Sequence, residues 1–205
     1  LAGRIIRSDE CIAEGATVLI AVEPRFAVIR DIPLRLRPDG FGALLDAILS
    51  QQVSVASATA IRSRLAAAGI ATEADVVAAG EEGLRACGFS RPKIRYALAL
   101  ASAGIDFDAL RDLDDDALVA ALAAQPGIGR WTAEIYAIFA LGRADMFPAG
   151  DLALQEAARC LFALERRPTE RELRAMSLAW SPWRAVAARM LFAYYRSMKS
   201  REGIS

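Results

Sequence analysis

The apolar positions of this chain fall on helical faces almost from end to end. Between Asp9 and Val22, Ile12, Ala16, Leu19 and Val22 recur at the spacing of one helix face. Glu23-Pro24 restarts a short helix, since proline suits a first helical turn. From Ile32-Pro33 to Arg37-Pro38 the residue before each proline is pushed out of α geometry, which predicts an extended linker between packed helices. Phe41, Leu44, Leu45, Ile48 and Leu49 form the next apolar face. The polar run Ser50-Gln51-Gln52-Val53-Ser54 interrupts it, and a second helix runs on through Ala68 to a stop at Gly69. Beyond that the punctuation is local. Thr72 with Asp75 marks a helix start, and Gly88 ends a short helix that runs from Glu81 to Cys87. Ser90 caps a helix with Pro92 in its first turn and Gly104 as its stop. Asp106 and Asp114 are N-cap candidates, and Asp115 and Asp116 suit a first turn by the dipole argument. After Asp151, Leu152, Leu154, Ala158 and Leu161 continue as a helix. Thr169 with Glu172 reads as a capping box. Ser181-Pro182 opens a last long helix with Trp183, Val186, Met190 and Tyr194.

The stretch QPGIGRWTAEIYAIFALGRADMFPAGD, residues 125–151, departs from this rhythm. Its turn, Pro126-Gly127-Ile128-Gly129, lies between two helical runs, Ala117, Leu118, Ala121 and Leu122 before it and Ile135, Ile138, Phe139 and Leu141 after it. Two glycines allow a sharp turn, because glycine alone takes positive φ without steric cost. They leave the N–H groups of Ile128, Gly129 and Arg130 uncovered at the start of a helix, where bare donors and the dipole favour an anion. A P-loop would need Lys-Ser/Thr after the glycines, and here Trp131 follows Arg130. A dinucleotide fingerprint would need a preceding strand, and the preceding run is Ala- and Leu-rich. A nucleic-acid phosphate remains.

Composition sharpens the picture. The 205 residues are enough for one well-cored domain with room for two lobes. Apolar residues make up 55% of the chain, dominated by alanine and leucine, which favours an all-α fold. No apolar stretch reaches membrane-spanning length. Arg4, Ile5, Ile6 and Arg7 run straight into Asp9 and Glu10, which is no signal peptide. Cys11, Cys87 and Cys160 stand far apart, without metal spacing, and read as buried, reduced thiols of a cytosolic protein. The chain has no histidine, which removes Ser-His-Asp and Cys-His chemistry and makes a transition-metal site improbable. Acid–base work falls to carboxylates or to the lysines, Lys93 and Lys199. The formal net charge is zero, so a nucleic acid would have to be held by a local basic face and backbone N–H groups.

The hairpin PGIG, followed by Arg130 and Thr132-Ala133, resembles the helix-hairpin-helix of the base-excision DNA glycosylases, the HhH-GPD superfamily. The likeness extends over roughly Phe41 to Tyr195. In that superfamily an essential Asp follows the second hairpin helix after a Gly/Pro-rich loop, and Pro148-Ala149-Gly150-Asp151 stands there. ILSQQVS resembles the segment that fills the gap left by an extruded nucleotide, GFSRPKIRYALALA carries the family's usual lysine as Lys93, and Trp180-Ser181-Pro182-Trp183-Arg184 resembles its WxPWR signature. The resemblance implies an all-α, two-lobed glycosylase fold over residues 1–205, hairpin 117–141, with the active-site cleft between lobes.

It also implies roles. Asp151 is the catalytic carboxylate. Gln52 is the plug and Gln51 its neighbour; Pro126, Gly127, Ile128, Gly129, Arg130, Thr132 and Lys93 contact DNA, with Arg91 and Arg95 beside them. Trp131, Tyr136 and Phe192 line the base pocket, Tyr136 lying next to the family position held here by Ile135. Trp180 and Trp183 pack, and Arg184 buttresses the active-site lobe. Bifunctional members carry a Schiff-base lysine where Trp131 stands, so the enzyme would be monofunctional and leave an intact abasic site. No cysteine follows Cys160, which excludes the branch with a four-cysteine iron–sulfur cluster. What remains resembles the 3-methyladenine DNA glycosylase II group in a short form, without a substantial N-terminal β-domain. Its substrate would be duplex DNA with alkylated bases. It would act as a cytoplasmic monomer at the bacterial nucleoid, with no metal beyond a possible monovalent cation at the hairpin and no membrane partner. Two alternatives stay open at this point: a glycosylase for deaminated or mismatched bases, and a non-catalytic binder of damaged DNA.

Overall fold

The computed structural model describes residues 3–201. Eleven α-helices are present among them: α1 (Asp9–Val22), α2 (Phe41–Ser50), α3 (Val55–Ala67), α4 (Glu73–Ala86), α5 (Arg91–Ser102), α6 (Phe107–Asp112), α7 (Asp115–Ala123), α8 (Arg130–Phe139), α9 (Leu152–Leu161), α10 (Glu170–Ser177) and α11 (Arg184–Arg201). Short 3-10 turns occupy Pro24–Val28 and Leu178–Trp180. The fold is all-α. Among the described residues the only β-type pairing outside helices is a single bridge between Ile5 and Arg143.

Local capping sets many of the boundaries. Thr72 Oγ1 accepts from the Asp75 amide at 3.2 Å, and Asp75 accepts from the Thr72 amide at 2.9 Å. Asp106 and Asp114 accept from the amides of Ala109 and Ala117 at 2.9 and 2.8 Å. Thr169 and Glu172 close the second capping box. Gly80, at φ 57°, interrupts the run Glu73–Ala86, so the short helix expected to begin at Glu81 follows a break in the helical backbone. Two boundaries differ from the pattern read in the sequence. Ser90 makes no side-chain cap bond. The last helix begins at Arg184, because the chain turns through Leu178–Trp180 and Ser181-Pro182 first.

The chain forms two compact units, one being Arg37–Tyr136 and the other the rest of the described chain, with the boundary falling inside α8. In the first unit α2 packs on α3 and α5, and α4 on α5. Phe41, Leu44, Leu45, Ile48, Leu84 and Ile94 are among its buried residues. Two buried polar side chains fix the ends of α2. At its start, the hydroxyl of Tyr136 accepts from the Gly40 amide at 3.0 Å. At its end, the Lys93 ammonium donates to the Leu49 carbonyl at 2.6 Å. Arg62 on α3 bonds the side chains of Asp46 and Ser50, tying α3 to the same helix.

In the second unit α11 packs against α9 and α1. Trp180 lies within an aromatic cluster, with ring centroids of Phe26, Phe147 and Phe162 at 5.4, 5.4 and 5.8 Å. Trp180 and Trp183 are buried packing residues, as read from the sequence. Of the three cysteines only Cys87 is buried; Cys11 and Cys160 are half-exposed. Arg189 was not visible as a structural residue in the sequence. It is 2% exposed and donates to the carbonyls of Leu34, Ala185 and Ile138 at 3.1, 3.3 and 3.0 Å. Its guanidinium also sits 4.8 Å from the Phe139 ring centre. Burial pushes its pKa down to about 10, so it stays charged at neutral pH. Arg189→Met removes three charge-assisted donors and leaves buried carbonyls short of partners. We expect a loss of about 2–4 kcal/mol in urea unfolding; a loss under about 0.5 kcal/mol would show that the three bonds are dispensable.

Candidate nucleic-acid interface and catalytic carboxylate

The hairpin between α7 and α8 is built around Gly127. Its φ is +84°, and a Cβ there would lie 2.4 Å from the Tyr96 ring, so the turn is pressed onto α5. Gly129 differs from the expectation drawn from the sequence. Its φ is not in the left-handed region and a Cβ would meet nothing within 4 Å, so nothing inside the protein requires glycine there. The donors differ from that expectation as well. The Ile128 amide is used within the turn, bonded to the Gln125 carbonyl at 3.1 Å. Among the described residues the amides of Gly129 and Arg130 make no backbone bond outside the helix, and they are the hairpin donors placed for an anion. Pro126, Gly129 and Arg130 are exposed. Arg130 pairs with the buried carboxylate of Glu134 at 2.9 Å, one turn further along α8.

The polar run ahead of α3 forms a loop beside this hairpin, within the same unit. Gln51 donates through Nε2 to the Gly127 carbonyl at 2.8 Å. Gln52 follows it, exposed and in left-handed conformation at φ 54°. Ser54 starts α3 by accepting from the Ser57 amide at 3.1 Å. The two glutamines thus have different surroundings, Gln51 bound to the hairpin and Gln52 presented to solvent.

Two residues that the resemblance placed against DNA, Lys93 and Thr132, and one that it placed in the base pocket, Tyr136, are buried. Lys93 is 9% exposed and spends its ammonium on Leu49, because its position on α5 faces α2. Arg91 and Arg95 are the exposed cations of that helix turn. Thr132 is 4% exposed, one position past the exposed Trp131, because α8 turns that face into the core. Tyr136 is 5% exposed with its hydroxyl held at Gly40, and burial raises its pKa. It is a strut for α2 rather than an open pocket wall. Trp131, in contrast, leaves 44% of its surface exposed on the first turn of α8.

In the second unit, Asp151 ends the loop Pro148-Ala149-Gly150 and caps α9. Its Oδ1 accepts from the amides of Ala153 and Leu154 at 2.8 and 3.2 Å. The loop itself is pinned. The Asp151 amide donates to Pro148 O at 2.9 Å, and the buried Gln155 donates to Ala149 O at 3.0 Å. Arg174 donates to Phe147 O at 3.3 Å, and Phe147 rests on Trp180. Gln155 and Arg174 were missed in the sequence reading. Gln155, a polar residue between Leu154 and Ala157 on the apolar face of α9, was the available signal. Arg184 buttresses this unit: it forms a two-pronged bond to Asp145 at 2.7 and 3.0 Å, while Ser181 adds a third at 2.8 Å. Burial works to raise the Asp145 pKa, and those bonds outweigh it and hold the carboxyl low. Phe192 is half-buried, its ring 6.2 Å from that of Phe139.

Among the described residues no cluster of His, Cys, Asp and Glu could hold a metal ion, and no helix is long and apolar enough to cross a membrane.

The comparisons with known proteins meet this geometry at the same places. The family model for HhH-GPD superfamily base excision DNA repair proteins matches residues 45–184, from α2 through the hairpin and Asp151 to Arg184. The chain is 32% identical over 161 residues to DNA-3-methyladenine glycosylase 1 of Schizosaccharomyces pombe, covering 74% of this chain and 71% of that one. It is 28% identical over 158 residues to the alkylbase DNA glycosidase-like protein mag2 of the same organism, covering 72% of this chain and 74% of that one. Its structure is similar to that of a DNA-3-methyladenine glycosidase from Bacillus halodurans, with TM-score 0.82 and 27% identity over 97% of this chain and 95% of the other. It is also similar to the S. pombe 3-methyladenine DNA glycosylase in complex with abasic DNA, with TM-score 0.70 and 30% identity over 86% and 88%. The chain belongs to the HhH-GPD superfamily of base excision DNA repair proteins.

Proposed function

We propose that the chain is a monofunctional DNA glycosylase that hydrolyses the N-glycosidic bond of alkylated purines, 3-methyladenine and 7-methylguanine, in duplex DNA. It would act as a monomer and leave an abasic site. The observation that carries the reading is Asp151. Two amides at the start of α9 hold its carboxylate, at the position after the hairpin helix where the superfamily keeps its essential acid.

The chemistry asks for little else. The enzyme reaches a stacked base by extruding the nucleotide, at a cost of a few kcal/mol that damage lowers. Hairpin amides hold a phosphate and set register without reading sequence. As the C1′–N bond breaks, its electron pair goes to the base, and C1′ takes on oxocarbenium character as in glycoside hydrolysis. The Asp151 carboxylate stabilises that charge and takes the proton of the water whose oxygen bonds to C1′. An N-alkylated purine is cationic before the reaction and leaves neutral, so it needs no general acid, in keeping with a chain without histidine. The exposed Trp131 indole suits a cationic base by stacking and cation–π attraction. Trp131 also supports the monofunctional reading, since it occupies the place of the Schiff-base lysine and Lys93 is committed to Leu49. A monovalent cation is part of the same proposal. The carbonyls of Gln125 and Gly127 each accept one bond and keep a second lone pair, and oxygen donors suit a hard cation that adds positive charge beside the phosphate.

Single-turnover assays on N-methylated duplex DNA test the chemistry. Wild type should free 3-methyladenine or 7-methylguanine, and strands should break only after alkali. Asp151→Asn should lose about a hundredfold or more in rate while still binding DNA. Unimpaired release by that variant would remove Asp151 from the mechanism, and breaks without alkali would overturn the monofunctional reading. Gly129→Ala tests the hairpin. It should weaken duplex binding with the melting temperature nearly unchanged, whereas Gly127→Ala should lower the melting temperature through its φ and the Tyr96 ring. Equal duplex binding by wild type and Gly129→Ala would argue against close phosphate approach at that residue.

A further inference from the structure

The loop that carries Gln52 holds a non-glycine residue in the left-handed region, at φ 54°. Such a conformation persists only when the surroundings over-determine it. Here they do so from both sides and from beneath. Three residues earlier the Leu49 carbonyl is held by buried Lys93 at 2.6 Å. Two residues later Ser54 starts α3 through its bond with the Ser57 amide. Between them Gln51 reaches out of the loop and donates to the Gly127 carbonyl at 2.8 Å.

That acceptor matters. Gly127 is the left-handed residue of the hairpin, set against Tyr96. Tyr96 stands one turn along α5 from Lys93, so one helix supports both the end of α2 and the hairpin. The bond from Gln51 closes the third side. It is also the one member of the arrangement that joins the plug loop directly to the peptide preceding the anion donors. A phosphate held by the amides of Gly129 and Arg130 therefore fixes the position of Gln52 along the duplex most directly through this link, with the α5 support and the Tyr136 bond to Gly40 holding α2 behind it. Gln51 spends one of its two Nε2 protons on the hairpin.

We propose that Gln51 is a positioning residue: its bond to the Gly127 carbonyl locks the Gln52 loop to the hairpin, so that the phosphate grip sets where the plug enters the duplex. This rests on the reading of the protein as a base-flipping glycosylase. Gln51 then acts on DNA through Gln52 and not by touching it.

A double-mutant cycle tests this with a synthetic duplex that holds one tetrahydrofuran abasic site and the same duplex intact. The readout is the ratio of the two affinities by fluorescence anisotropy, with thermal melting alongside. Gln51→Met keeps the length of the side chain and removes the donor. It should cut the abasic preference about tenfold, the size of coupling seen between contacting residues. Gln52→Ala should cut it similarly, and adding Gln51→Met to Gln52→Ala should cost no more. A merely structural residue would lower the melting temperature and both affinities together, leaving the ratio unmoved. Additive losses in the double variant, or an unchanged ratio in Gln51→Met, would overturn the proposal. Wild type with no preference for the abasic duplex would instead overturn the base-flipping reading, and the proposal with it.

Discussion

A lysine ammonium against the last turn of a helix is the constraint on which the first unit depends. Lys93 donates to Leu49 from inside the protein, at the negative end of the α2 dipole, where a cation is favoured. Burial pushes the amine's pKa down, and a charge-assisted bond to a backbone carbonyl offsets that cost in a low-dielectric interior. With Tyr136 holding the other end at Gly40, α2 is pinned at both termini. The polar loop that leaves α2 then starts from a fixed point, and a glutamine with a left-handed backbone can be presented to solvent without collapsing inward.

The second unit solves a different problem: it must hold one carboxylate still at the end of a short loop. It does so from below and behind. Below, Phe147 rests on Trp180 within a cluster of edge-on aromatic contacts, worth about 0.5–1.5 kcal/mol per pair beyond burial. Behind, Gln155 and Arg174 take the loop carbonyls of Ala149 and Phe147. The amides of Ala153 and Leu154 then aim the Asp151 side chain. The site is thus built from backbone donors, carbonyl-seeking side chains and aromatic packing, which suits the proposed reaction of a chain without histidine, one that asks for charge stabilisation more than proton transfer.

What was legible in the sequence is what is local. Thr72, Asp106, Asp114 and Thr169 announce helix starts because a cap bonds an amide two or three residues away. The hairpin and the loop before Asp151 were legible for the same reason. Burial on α5 and α8 was not. Lys93 follows Ser90-Arg91-Pro92 and reads as a solvated helix start, and its partner Leu49 lies far back in the chain. Thr132 and Tyr136 look available beside a glycine turn, yet the rotation of α8 puts them in the core and leaves Trp131 out. Arg189 went unread as well: it stands amid Ala185, Val186, Ala187, Ala188, Met190 and Leu191, and two of its three carbonyl partners, Leu34 and Ile138, lie far back in the chain.

In the proposed complex two hairpin amides, those of Gly129 and Arg130, grip a DNA phosphate while that of Ile128 is reserved for the turn. Residue-resolved amide hydrogen exchange, on the free protein and on its complex with an abasic duplex, tests that directly. The Gly129 and Arg130 amides should slow strongly on DNA binding, while Ile128, already bonded to the Gln125 carbonyl, should change little. Equal slowing at all three, or none at Gly129 and Arg130, would contradict it.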